Sequence, residues 1–283
     1  MVRLVFGCGY LGQRVATRWL ADGTPVYVVT RSAGRARLLR KVGLLPIVAD
    51  VTRPETLVDL PAANTVLFAV GFDRNRDETI QQVYVEGLRA VLSTLRSPVD
   101  RFIYISSTGV YGQSDGSWVD ESSACEPARD GGKAHLQAEQ LLAEHWIAAQ
   151  AIVLRLAGIY GPERVPRRSD LERGGPLPIA DGFLNLIHVD DATEAVLAAE
   201  NHGATPNTLI VADGHPVKRR DYYLELARLV GLGKPEFHEP AAGTVADRRL
   251  GSKRIRTTRL MSELSFQPRY PTYREGLRAI LGG

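Results

Sequence analysis

Residues 7–12 read GCGYLG, directly after the apolar run VRLVF (2–6) and directly before a helical stretch at 11–21. A six-residue pattern with glycines at 7, 9 and 12 is common by chance. Framed by a strand and a helix it becomes specific. The first glycine permits a tight turn, the second lets a backbone approach a pyrophosphate, and the third allows close helix–strand packing. The helix start then presents unpaired N–H groups and a positive dipole end to phosphates. Gly7, Gly9, Tyr10, Leu11 and Gly12 are therefore the expected contacts of a dinucleotide.

The rest of the N-terminal half repeats this strand–helix rhythm. Apolar runs rich in Val, Ile, Tyr and Phe lie at 2–6, 25–29, 45–49, 65–70, 101–106 and 151–156. They read as buried parallel strands. Helical stretches at 11–21, 33–42, 77–96 and 133–148 separate them, which predicts right-handed crossovers and a doubly wound α/β sheet. After 157 the rhythm changes. The segment GIYGPERVPRRSDLERGGPLPIADG (158–182) reads as a long loop over a pocket. LNLIHVDD, a helix near 191–201, the strand NTLIVAD, a helix at 217–230 and two short tail helices follow. The expected division is a nucleotide-binding domain at 1–157, its sheet completed by segments around 184–213, and a small substrate-side lobe at 158–283 that is not an independent domain.

An NAD site ordinarily places a carboxylate against the ribose hydroxyls at the end of the second strand. Here that place holds Arg31 and Ser32, with Arg35 following. A guanidinium suits a 2′-phosphate, so NADP is expected, with NAD as the alternative. The competing reading is a solvated helix face, as for Arg37 and Arg40. Asp50 is placed either to accept from an adenine amino group or to cap the next turn. Val51, Val70 and Gly71 complete the expected cofactor contacts.

The 283 residues carry 35 Lys and Arg against 32 Asp and Glu, interspersed, for a formal charge of +3. So mild an excess argues against nucleic acid and for an anionic small ligand or plain solubility. Two cysteines, Cys8 and Cys125, lie far apart and lack metal-like spacing, which points to a reducing cytoplasm. No apolar run approaches the roughly 20 residues that span a bilayer, and no cleavable leader is read at the start, so no membrane partner is expected.

Over nearly its whole length the chain resembles the extended short-chain dehydrogenase/reductases, the NAD-dependent epimerase/dehydratase family. The resemblance rests on GCGYLG, YISSTGVYG, KAHLQAEQLL, LRLAGIYGP, LIHVDD and NTLIVADG. It implies a Rossmann domain with a small C-terminal lobe over the nicotinamide, and chemistry that needs four side chains. The Ser or Thr after the fifth strand matches Ser107. The Tyr of the family's YxxxK falls on Gly131, its Lys on His135, and the Asn of the preceding helix on Tyr84. Taking Lys133 as the motif lysine puts Arg129 at the tyrosine position, so sliding the helix restores nothing.

Within GGKAHLQAEQLL (131–142), Leu136, Ala138, Leu141 and Leu142 form the packing stripe, with Glu139 and Gln140 on the wet side. His135 remains able to bond a ribose hydroxyl. Tyr111, Tyr84 and Tyr160 are substitute hydroxyls or packing residues, and Ser107 with Tyr111 are the catalytic candidates. Cys8 reads as a small filler. His188, Asp190 and Asp191 read as a helix start, and no metal is expected. Arg164, Arg167, Arg168 and Arg173 either clamp an anion or form a solvated loop. Helices 77–96 and 133–148 allow a homodimer without requiring one. Two functions follow: an atypical NADP(H)-dependent oxidoreductase or epimerase-like protein for a small, anionic metabolite, or a non-catalytic NADP(H) sensor.

Overall fold

The computed structural model describes residues 1–96, 98–178, 182–202, 208–238 and 252–282. Seven strands form one sheet: β1 (Arg3–Phe6), β2 (Val26–Thr30), β3 (Leu45–Val48), β4 (Thr65–Phe68), β5 (Arg101–Ser107), β6 (Ala151–Leu156) and β7 (Thr208–Val211). Their order is β7-β6-β5-β4-β1-β2-β3. Pairings of β1 with β2 and β4, of β2 with β3, and of β4 with β5 are parallel. This is the doubly wound α/β fold, and its strand order reverses beside β1, where ligands bind in such sheets. Helices α1 (Gly12–Ala21), α2 (Ala33–Lys41), α3 (Gly87–Thr94) and α4 (Asp130–Ala143) run between its first six strands, and a further helix, Val189–Asn201, precedes β7.

Contacts divide the chain into two compact units. The first comprises Met1–Val110, Pro127–Arg155 and Thr193–Leu209; the second comprises Tyr111–Glu126, Leu156–Ala192 and Ile210–Gly283. In the first, Phe6, Phe68, Phe102, Tyr104, Leu88 and Val91 pack into one apolar core. A buried ion pair crosses it. Arg3 Nε and Nη2 donate to Glu200 at 2.8 and 3.2 Å, and Trp19 Nε1 donates to the same carboxylate at 2.6 Å. In the second unit Tyr160, Tyr222, Tyr223, Leu186, Leu226 and Leu277 form the core.

Several expectations are corrected. The run at 45–49 is buried only at Ala49: Leu45 and Val48 are exposed and Pro46 and Ile47 half-buried, because β3 is the sheet's edge strand. The stretch at 77–96 becomes helical only at Ile80, ends at Thr94, and contains a π-helical turn, Gln82–Glu86. The stretch at 133–148 forms α4 from Asp130 to Ala143, followed by a 3-10 turn at Ala148–Gln150. Segment 158–182 is no plain loop. It holds a strand, Gly158–Tyr160, paired with Leu186–His188, a short helix, Arg168–Glu172, and a strand at Leu177–Pro178. Residues 179–181 of that segment and Asn207 of NTLIVAD lie outside the described residues. No helix among the described residues is long and apolar enough to cross a membrane.

Candidate dinucleotide site

The three glycines of GCGYLG have three different surroundings. Gly7 adopts φ +89°, and a Cβ there would stand 2.4 Å from the Ala69 carbonyl, at the end of β4. A Cβ on Gly12 would lie 2.2 Å from the Gly7 carbonyl oxygen. Both positions are closed by backbone, so only glycine fits. A Cβ on Gly9 would meet nothing within 4 Å. The middle glycine thus faces open space directly before α1, whose first turn carries no acidic side chain to occupy its N–H groups. That is the shape a pyrophosphate needs: a closed turn, an open face and a helix start without a side-chain cap.

The neighbouring side chains fall into place around this turn. Leu11 is buried, and Tyr10 stacks under the Arg14 guanidinium at 4.3 Å. Cys8 is buried, which lifts its thiol to about 11 and leaves it neutral. At the end of β2, Ser32 Oγ caps α2 by accepting from Arg35 N at 3.2 Å. Arg35 reaches back to the glycine turn, donating to Cys8 O at 3.4 Å and to Gln13 Oε1 at 2.5 Å. Arg31 faces Asp73 at 3.6 Å, both about two-fifths exposed. Asp50 is doubly engaged. One oxygen accepts from Thr52 N and Oγ1 at 3.0 and 2.8 Å, capping the turn, and the other from Arg76 at 3.3 Å. Its carboxyl stays below the usual range despite burial, because Thr52 and Arg76 favour the anion. Val51 is buried, Val70 half-buried and Gly71 exposed. Arg76 and Asp73 were not singled out in the sequence; nothing in their spacing marks them.

At the N-terminus of α4 the chain approaches the turn after β5. A Cβ on Gly132 would lie 2.2 Å from the Gly109 carbonyl oxygen, so position 132 must be glycine. One on Gly131 would meet nothing within 4 Å. Ser107 Oγ accepts from Gly109 N at 3.0 Å and keeps its own proton to donate.

His135 is buried in an aromatic stack. Its ring lies 4.2 Å from that of Tyr84, interplanar angle 29°, and its Nδ1 meets Tyr104 Oη at 2.9 Å. Burial lowers its pKa to about 4, so the imidazole is neutral near pH 7. Tyr84 Oη in turn accepts from Phe72 N at 3.1 Å. Residues 84 and 135 therefore act as one packed unit.

One turn further on, Glu139 corrects the amphipathic reading. It is buried, receives Arg155 Nε and Nη2 at 3.0 and 2.6 Å, and accepts from Ser106 Oγ at 2.5 Å. An apolar stripe in α4 cannot reveal a partner 16 residues away in β6.

In the second unit, Tyr111 is buried, and its carbonyl accepts from Lys253 Nζ at 2.8 Å. Tyr160 is fully buried, its hydroxyl has no hydrogen-bond partner among the described residues, and burial pushes its pKa far up, which makes it a packing residue. His188 Nδ1 accepts from Asp190 N at 3.2 Å, and Asp191 accepts from Arg269 N and Tyr270 N at 2.8 and 3.0 Å. Arg167 and Arg168 pair with Asp170 and Glu172 at 2.8 and 2.7 Å, and Arg173 also pairs with Asp170. These three guanidinia are taken up by their own short helix, which favours the solvated reading over an anion clamp.

Known proteins are similar to this chain in sequence or in fold. Protein YeeZ of Escherichia coli K12 is 28% identical over 279 residues, covering 94% of this chain and 95% of that protein. A structure described as a putative NAD-dependent epimerase/dehydratase from Methylobacillus flagellatus is 30% identical, with TM-score 0.78, covering 99% of this chain and 97% of that one. The Bordetella bronchiseptica enzyme WbmG, solved in complex with NAD, shares the fold at 18% identity and TM-score 0.84, covering 100% of this chain and 93% of its own. The model of the NAD dependent epimerase/dehydratase family matches residues 4–212, a span that takes in the glycine turn, β5 and α4. The chain belongs to that family.

Proposed function

We propose that this protein binds NADP(H) over the glycine turn and acts as an oxidoreductase-like or epimerase-like protein on a small, anionic metabolite without the family's Tyr/Lys pair. The observation that carries the reading is the contrast between Gly7 and Gly12, closed by backbone, and Gly9, open to space before an uncapped helix start. The bound cofactor would supply hydride transfer. The chain supplies the cradle, the guanidinia of Arg31 and Arg35 beside the β2 end, and Ser107 as a hydroxyl donor. The mild excess of basic residues supports an anionic ligand.

A second reading, a non-catalytic NADP(H) sensor, is favoured by one observation. At the position matched to the family lysine stands a neutral imidazole held by Tyr84 and Tyr104, a group that neither lowers a neighbouring tyrosine pKa nor carries charge to a ribose. Loss of a positioned acid or base costs roughly 10²–10⁴ in rate.

NADPH oxidation across a panel of small carbonyl compounds separates the two. Turnover that falls on Ser107→Ala supports the enzyme reading, with Ser107 as the working hydroxyl. Brisk turnover unaffected by Ser107→Ala and by Tyr111→Phe would place the active site elsewhere. Absence of turnover in the parent supports the sensor. In that case Gly131→Tyr/His135→Lys should gain activity only together with Tyr84→Asn, since the Tyr84 ring occupies the face of residue 135.

A further inference from the structure

The second unit carries a cluster of cations and rings that the cofactor reading leaves unused. Two short ladders build it. Trp118–Val119 pairs in parallel with Arg254–Ile255, and Phe183–Leu184 pairs antiparallel with Val217–Lys218. Asn185 joins them, donating Nδ2 to Lys253 O at 2.9 Å while its Oδ1 accepts from Ile255 N at 2.8 Å. Ser252 adds a second tie: its Oγ accepts from Phe183 N at 3.3 Å and its carbonyl from Gly116 N at 2.9 Å. The side chains above these ladders are therefore fixed by backbone and not by loop chance.

Arg254 sits between two rings, its guanidinium carbon 5.0 Å from the Trp118 centre and 5.1 Å from the Phe183 centre. Its Nε donates to Gly116 O at 2.7 Å, which sets the plane of the fork. Lys218 Nζ lies 4.5 Å from the Phe183 ring and the Arg256 guanidinium 5.8 Å from Trp118. Trp118 nonetheless remains 44% exposed. Two carboxylates face the arginines, Asp115 toward Arg254 and Asp120 toward Arg256, and each also accepts hydrogen bonds within its own turn. Asp115 accepts from Ser117 N at 3.0 Å, and Asp120 accepts from Ser122 N and Oγ at 3.0 and 2.6 Å. Among the described residues neither Arg254 nor Arg256 forms an ion pair.

Cations gathered beside an exposed indole attract an anion that can also lie on the ring. A guanidinium held beside a ring offers its fork to a carboxylate or phosphate while the ring's open area offers a stacking face. We propose that this cluster is a binding site for a small ligand carrying an anionic group on a planar ring. The site lies within one unit and does not depend on the dinucleotide reading.

Trp118 is the natural reporter. The full chain would be titrated with adenosine 5′-monophosphate and with benzene-1,2-dicarboxylate, and with adenosine and inorganic phosphate as the separate halves. At least one planar anion should quench tryptophan emission and bind roughly tenfold tighter than either half. Response to the nucleotide alone identifies a phosphate ligand, and response to the dicarboxylate alone a carboxylate. Trp118→Phe should abolish the quench. Arg256→Ala, an exposed substitution, and Arg254→Lys, which keeps charge but not the two-pronged fork, should each weaken binding about three- to tenfold. In a Gly9→Val chain the quench should persist, and its loss would assign the signal to the glycine turn. That outcome overturns the proposal. So does the absence of any response to either planar anion at millimolar concentration, or an affinity that neither arginine variant changes.

Discussion

Arg31 and Asp50 show how much one residue's surroundings decide. Asp50 keeps its anion through Thr52 and Arg76, so its carboxylate is committed before any adenine arrives. Arg31 is paired only at 3.6 Å with a half-exposed Asp73, so its guanidinium exchanges partners at little cost. On the proposed reading a 2′-phosphate takes that place. NADPH should therefore bind more tightly than NADH, and Arg31→Ala should remove about tenfold of the difference, the scale of one partly screened hydrogen bond to a charged group. Calorimetric titration of both dinucleotides against parent and variant checks this. Equal affinities in the parent would refute it.

Helix α4 carries the same lesson at the scale of an element. Its packing face was legible in part: Ala138 and Leu142 are buried and Leu141 packs half-buried against the core, but Leu136 is only half-buried and the unread Ala134 joins the buried face. Its polar interior was not. Glu139 has the composition of a solvated position, and what buries it is Arg155 from a strand that spacing within the helix cannot see. Tyr84 and His135 escaped for the same reason: each looks like an isolated departure from the family, and only the fold stacks one on the other. Removing one partner of a buried ion pair strands the other charge. Glu139→Ala should lower unfolding free energy by about 3–5 kcal/mol, and Glu139→Leu/Arg155→Met should recover much of that loss. Chemical denaturation reads both. A loss below about 1 kcal/mol in the single variant would mean that the pair is hydrated.

For the whole molecule, the features legible in advance were those set by local periodicity: the order of strands and helices and the glycine turn that opens them. Exposure of β3 depended on its being last in the sheet, which follows from strand order and not from its own residues. Order inside 158–182 came from pairing with Leu186–His188 and from arginines finding acids within their own helix. On the proposed reading this fold is organised around a dinucleotide laid over Gly9. Calorimetric titration with NADPH of the parent chain and of Gly9→Val tests it most directly. A valine there meets no protein atom within 4 Å of its Cβ, so the variant should fold and melt like the parent. The parent should bind measurably and the variant at least a hundredfold more weakly, because the added side chain fills the approach path of the pyrophosphate. Unchanged affinity in a folded Gly9→Val chain would contradict it.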